Sequence, residues 1–318
     1  MTTTDLSRSQ QAALDLNVVA RRQRSLWEDA FYRLRRNKAA MAGLLVLMLA
    51  ALVAVFAPLI APYDPIRQDS QFNTFEPLWV GSQYTTPEHL LGTDQLGRDT
   101  LSRLMWAARI SMVIGFVPTF IVFSVGIIVG LTAGYLGNWI DDVLMRITDV
   151  VYAFPDFLFL LIIVATFRST PIGQIFDGLF LIFGAFAVVG WVGVARLTRG
   201  QVLSLKEHEF IEAARAIGAT PLRIMTRHLL PNSLAPLLVA AAFTVPAYII
   251  FEATLSYLGV GIKPPTPSWG SMIREGFATF TVNPWGVLLP ALCISTVMLA
   301  FTFVGDGLRD ALDPRMKS

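Results

Sequence analysis

Six long apolar runs decide what this chain can fold into. They lie at approximately Ala40 to Ala61, Ile110 to Leu136, Thr148 to Phe167, Leu179 to Leu197, Leu234 to Leu258 and Val287 to Gly305. Each comes close to or exceeds the ~20 residues that a helix needs, at ~1.5 Å per residue, to cross a hydrocarbon layer of about 30 Å. Backbone inside a bilayer has to satisfy its own hydrogen bonds, so these runs predict spanning helices and an all-α membrane protein. With 54% hydrophobic and 15% charged residues and a mean hydropathy of +0.57, the composition is far from that of a soluble enzyme. The first run begins near Ala39, too deep for a secretory signal and without a small-residue cleavage site, so it is expected to stay as an anchor.

Six crossings place both ends on one side, and basic residues choose the side. The amino tail, the loop around Asp141, the stretch from Arg196 to Asn232 and the carboxyl tail hold 18 of the 25 lysines and arginines. Positive charge collects in the cytoplasm, so both tails and the 196–232 stretch are expected inside. The basic cluster Arg33, Arg35, Arg36 and Lys38, preceded by Arg21, Arg22 and Arg24, is read as an orientation signal or a lipid-headgroup contact. A net charge of +2 is too small to imply nucleic acid. The expected organisation is an amino tail at 1–38, a first span at 39–62, an outward loop at 63–108, a five-helix core at 109–306 with a polar insert at 198–233, and a carboxyl tail at 307–318.

The polar insert reads as two helices with a corner between them. Phe210 to Ile217 holds good helix formers, and Gly218 stands where a left-handed closing residue belongs. Thr220 and Pro221 supply a cap and a first-turn proline, so a second helix, Leu222 to Leu230, is expected to run until Pro231 stops it. Ala213, Ala214 and Ala216 leave the first helix with little side-chain bulk, which suits a peg entering a groove. An alanine-rich amphipathic helix in a loop would look similar at this one place.

Glu212-Ala213-Ala214, three residues, Gly218, and a Leu-Pro at Leu230-Pro231 resemble the EAA loop of ABC-importer permeases, the coupling helix that docks on the ATPase subunit. The general pattern has an aliphatic residue three places before the proline. Here His228 stands there, and the Arg-His-apolar-Leu-Pro-Asn ending resembles the dipeptide and oligopeptide branch. Three further blocks resemble the same group: Leu91-Gly92-Thr93-Asp94 with Gly97-Arg98-Asp99, Glu252 to Gly259 with Pro264 to Gly270, and Gly305 to Arg315. The chain is identified on these blocks as a member of the C-type permeases of the dipeptide, oligopeptide and nickel importers. The resemblance implies a type I ABC importer fold with a coupling helix between the fourth and fifth spans. It also implies a second homologous permease, cytoplasmic ABC ATPase subunits, an extracytoplasmic solute-binding protein, and a peptide or related solute. Glu212, Ala213, Ala214, Gly218 and Pro231 are the coupling residues it implies.

Read without the resemblance, Leu91 to Thr100 is a structured turn in which Asp99 caps a helix starting at Thr100, or else a place of solute contact. Gly126, Gly130 and Gly134 make a smooth stripe for a neighbouring helix, and Pro118, Pro155, Pro246 and Pro290 interrupt spans. Asp156 and Glu252 lie in or near the membrane, where charge costs about 2.5 to 3.5 kcal/mol on insertion scales. Asp156 is either a headgroup-level residue or part of a path. Glu252 is either an internal hydrogen-bond partner or a lining residue of the translocation path. An ion-coupled secondary transporter or channel using these two acids is the alternative function.

Catalytic constellations are not expected. A phosphate-cradling loop ends in Gly-Lys-Ser or Gly-Lys-Thr, and none of Lys38, Lys206, Lys263 and Lys317 follows a glycine. His208-Glu209-Phe210-Ile211-Glu212 lacks the second histidine of a zinc hydrolase, and no nucleophile elbow is present. Cys293, the single cysteine, is assigned to packing. ATP hydrolysis is therefore expected on a separate chain, with no cofactor or metal on this one.

Overall fold

The computed structural model describes residues 26–312; Arg21, Arg22, Arg24 and the closing Asp313-Pro314-Arg315 lie outside the described residues. The helices in order are α1 (Leu26–Arg36), α2 (Lys38–Ile60), α3 (Thr100–Leu136), α4 (Asn138–Tyr152), α5 (Asp156–Phe167) and α6 (Leu179–Val189). They continue as α7 (Trp191–Leu205), α8 (Glu209–Ala216), α9 (Pro221–Ile224), α10 (Leu230–Tyr257), α11 (Trp269–Phe277) and α12 (Trp285–Leu312). Five stretches are long and apolar enough to span a membrane: α2, α3, 172–205, 221–257 and α12. The pair α4 and α5, bent by 76°, makes a sixth if it crosses as one.

The third apolar run is thus not one straight helix. Proline disfavours helical backbone in the residue before it, and the chain turns at 153–155 before α5 starts at Asp156. The expectation that Pro231 stops a helix is also corrected. Met225–Leu229 forms a π turn, with the Leu230 amide donating to the Met225 carbonyl, and the helix runs on through Pro231 to Tyr257. Two nearby side chains serve carbonyls of this turn: Asn232 Nδ2 donates to the His228 carbonyl at 2.6 Å and Ser233 Oγ to that of Leu229 at 2.9 Å. A wide turn with side-chain donors tolerates a ring that a regular α-turn would expel.

The glycine stripe of α3 meets α7 in register. A Cβ on Gly126 would stand 2.6 Å from Val194 Cβ, one on Gly130 2.5 Å from the Ala195 carbonyl oxygen, and one on Gly134 2.9 Å from Val202 Cβ. The two helices therefore lie side by side in the same direction. Since α3 begins beside the 61–99 segment, where the Tyr63 amide donates to Ser102 Oγ at 3.0 Å, the far end of α3 and α7 carries α8. At the near end Asp99 starts α3 as expected, accepting from the Ser102 amide at 2.7 Å. Residues 61–99 are irregular, with single turns at Ser70–Phe72 and Leu78–Val80 and one isolated bridge, Thr93 with Asp99.

Apolar burial follows this frame. One cluster gathers α3, α5, α6 and α10 around Ile182, Phe186, Leu160 and Leu255; a second joins α3, α10, α11 and α12 around Ile249, Trp269 and Phe301. A third, smaller one lies at the α8 end and contains Leu131, Val202, Ile211, Ala214, Ile224 and Leu229. Helix α1 runs against the end of α12: a Cβ on Gly307 would meet Leu34 Cδ1 at 3.1 Å.

Candidate functional site

The corner after α8 is built by backbone hydrogen bonds. The Gly218 amide donates to the Arg215 carbonyl at 2.9 Å and the Ala219 amide to that of Ala214 at 3.0 Å, the paired closure known as a Schellman motif. Gly218 has φ +81°, a left-handed conformation that L side chains adopt only with strain, while the space around its missing Cβ is open. Thr220 then accepts from the Arg223 amide at 3.4 Å and Pro221 takes the first turn of α9.

Small residues on α8 serve two sides. Ala214 and Ile211 face inward against the third cluster and are buried, so Ala214 permits close seating of α8 on its own protein. Glu212, Ala213, Arg215 and Ala216 face outward. The most exposed apolar side chain of the corner is Ile217, 86% accessible, with Leu222 beside it at 67%. Neither residue carried a sequence signal, because an isoleucine at the end of an amphipathic helix reads as core. Pro231 lies away from the corner, exposed in the first turn of α10.

Helix α7, which leads into α8, is tied to α4. Arg199 grips Asp141 with two hydrogen bonds of 2.6 Å, and Arg196 reaches Asp149 at 2.5 Å while lying 4.1 Å over the Tyr152 ring. The bidentate pair adds direction as well as energy. Helix α4 in turn precedes the bend that delivers Asp156.

Asp156 opens α5 and lines a cavity of about 380 Å³ together with Phe186, Gly190, Gly193, Tyr248 and Phe251. Glu252, one turn beyond Tyr248, is absent from that lining. It is completely buried; Ser256 Oγ donates to its Oε1 at 2.6 Å and Ser268 Oγ at 2.8 Å. Its Oε2 has no hydrogen-bond partner among the described residues. Ser268 is also the cap of α11, accepting from the Ser271 amide, so Glu252 fastens the start of α11 to α10. The approach is tight: a Cβ on Gly270 would lie 2.4 Å from Ala253 Cα. These bonds make Glu252 an internal hydrogen-bond partner of Ser256 and Ser268.

At the opposite end from α8, the Thr93 to Thr100 turn is locked by an ion cluster. Arg98 donates to Asp94 at 2.7 Å and to Glu275 at 2.6 Å, and Arg103 to Asp94 at 3.0 Å and to Glu275 at 2.7 Å. Both guanidinium groups are nearly inaccessible. Close by, Arg168 donates to the Gly261 carbonyl at 2.6 Å; burial first, and the Arg274 cation second, hold its guanidinium below its ordinary pKa. The turn is implied by its own residues, but Glu275 lies 172 residues from Arg103 and is not. The available signal was Arg103 itself, an arginine inside the first turn of an apolar helix.

A protein-family model described as binding-protein-dependent transport system inner membrane component matches residues 126–318, and one described as N-terminal TM domain of oligopeptide transport permease C matches residues 25–77. The chain belongs to the binding-protein-dependent transport inner membrane component family. This permease is 38% identical over 303 residues to the oligopeptide transport system permease protein OppC of Bacillus subtilis, covering 95% of this chain and 94% of that one. It is 39% identical over 310 residues to the dipeptide transport system permease protein DppC of the same organism, covering 97% and 92%. Identity to OppC of Salmonella typhimurium is 42% over 296 residues, covering 92% of each. Among solved structures, a chain of the inward-facing MetNI methionine ABC transporter is similar in fold, with a TM-score of 0.52 at 23% identity over 66% of this permease and 96% of that chain. The fold is the type I importer permease fold, as the sequence implied, and family membership favours an ATP-driven permease over an ion-coupled transporter using Asp156 and Glu252.

Proposed function

We propose that this permease is the transmembrane subunit of an importer that carries dipeptides, oligopeptides or a closely related small solute across the cytoplasmic membrane. Its partners are a second homologous permease, cytoplasmic ABC ATPase subunits and an extracytoplasmic solute-binding protein, with both termini and α8 inside the cell. The observation that carries the proposal is the corner after α8: an exposed apolar knob, Ile217 with Leu222, on a helix whose other side, Ile211 and Ala214, is buried in the cluster that holds Leu131 of α3 and Val202 of α7.

Coupling then follows from the connections. ATP closes the ATPase pair, Glu212, Ala213 and Gly218 move with the docked corner, and α7 carries α4 along through Arg199 and Arg196. Helix α4 leads to the bend before Asp156, so a shift at the docking end reaches the cavity where the solute path is placed. Pro231 and the π turn before it join the docking end to α10, whose Tyr248 lines the same cavity. Hydrolysis resets the bundle.

The experiment is purification of the tagged chain in mild detergent followed by reconstitution. A co-purifying ATPase and nucleotide-dependent uptake of peptide support the proposal. A chain that moves solute alone, driven by an ion gradient, sinks it.

A further inference from the structure

The cavity at Asp156 has a chemistry that the assignment of a path does not by itself supply. Asp156 is paired with no cation and accepts no hydrogen bond among the described residues. Aromatic rings share its cavity: the Phe186 and Tyr248 rings are 4.2 Å apart, and Phe186 and Phe251 are stacked at 6.4 Å with an interplanar angle of 7°. Two glycines, Gly190 and Gly193, share the rest of the lining with apolar side chains and Thr244. A Cβ on Gly190 would strike the Tyr248 hydroxyl at 2.1 Å, so this glycine admits that hydroxyl, and a Cβ on Gly193 would meet nothing within 4 Å.

Asp156 is exposed to this space, and a carboxylate there repels anions and attracts cations. Aromatic rings attract positive charge and the carboxylate supplies a charge-assisted acceptor. The volume of about 380 Å³ falls within the ~300–1,000 Å³ range of small-ligand sites. We infer that Asp156, with Phe186, Tyr248 and Phe251, is a transit site for a protonated amine of the solute, which for a peptide is its free amino terminus. This rests on the proposal that the chain is a peptide permease. The site has one charged contact in a lining that is otherwise mostly apolar, which suits a ligand that must leave again.

The test uses the whole complex in liposomes, with permease, partner permease, ATPases and binding protein made cysteine-free (Cys293→Ser here), and radiolabelled L-alanyl-L-alanine as probe. Asp156→Cys is expected to lower ATP-driven uptake by about tenfold or more, the order for losing one charge-assisted contact. Alkylating that cysteine with iodoacetate returns a carboxylate and restores uptake; iodoacetamide adds the same bulk without charge and leaves it low. Asp156→Asn should match the iodoacetamide adduct. Equal uptake after the two reagents, at whatever level, overturns the ammonium site, as does unaltered uptake by Asp156→Asn. Absence of ATP-driven dialanine uptake in the Cys293→Ser parent instead overturns the peptide proposal beneath it.

Discussion

Substitution of Gly218 separates backbone strain from contact. Its φ of +81° is strained for an L residue, yet no atom lies within 4 Å of the position a Cβ would take. The whole effect of Gly218→Ala therefore comes from conformation, about 1 kcal/mol, and Gly218→Val, with its branched Cβ, should cost about 2 kcal/mol or more. Asparagine tolerates this region better, so Gly218→Asn should lie between glycine and alanine.

Driving a bundle from 1:99 to 99:1 takes about 5.5 kcal/mol of differential binding. If only the closed corner docks, a loss of about 1 kcal/mol lowers the driven state to roughly 95%, and a loss of about 2 kcal/mol to roughly three quarters. The assay is ATP hydrolysis and peptide uptake measured on the same reconstituted vesicles. Uptake per ATP should fall in the order Gly, Asn, Ala, Val, while membrane insertion is retained and detergent stability falls by no more than this local strain. Wild-type coupling in Gly218→Val would refute the role given to this corner.

Gly130→Val should act oppositely, on the fold: its Cβ would sit 2.5 Å from the Ala195 carbonyl oxygen, and overpacking of this kind costs about 1–3 kcal/mol, visible as a lower unfolding temperature by fluorescence-detected size exclusion. Glu275→Ala leaves Arg98 and Arg103 sharing Asp94 alone; loss of one partner of a buried pair costs about 3–5 kcal/mol, reduced here because Glu275 is 23% accessible, and adding Arg103→Met should recover part of the lost thermal stability. Glu252→Gln keeps an oxygen to accept from Ser256 and Ser268, so uptake should persist with a stability change within about 1 kcal/mol, whereas abolished uptake from a stably folded Glu252→Gln would return this residue to the path.

The spans were legible because a bilayer permits so few backbone solutions that run length alone nearly determines them. Local devices were legible too: Asp99 as a cap, Gly218 as a left-handed closure and the α3 glycine stripe each follow from the chemistry of one to three residues. What escaped the sequence depended on distant partners. Arg103 needs Glu275, and Glu252 needs Ser268, neither of which is implied by spacing. The helix running past Pro231 escaped for a different reason, since a proline ordinarily stops a helix and only the π turn beneath it makes room. The inward face of α8 was not legible either, since Ala213 and Ala214 are alike in size and only burial shows that Ala214 faces the protein.

The most direct test of the account is where Ile217 meets the ATPase. With Cys293→Ser as background, Ile217→Cys in the intact complex should form a short bifunctional cross-link to the nucleotide-hydrolysing subunit, at a yield that changes with ATP, and should react with a membrane-impermeant maleimide only in inverted vesicles. Labelling from the outer face of intact cells, or a purified complex that transports with no such subunit present, contradicts it.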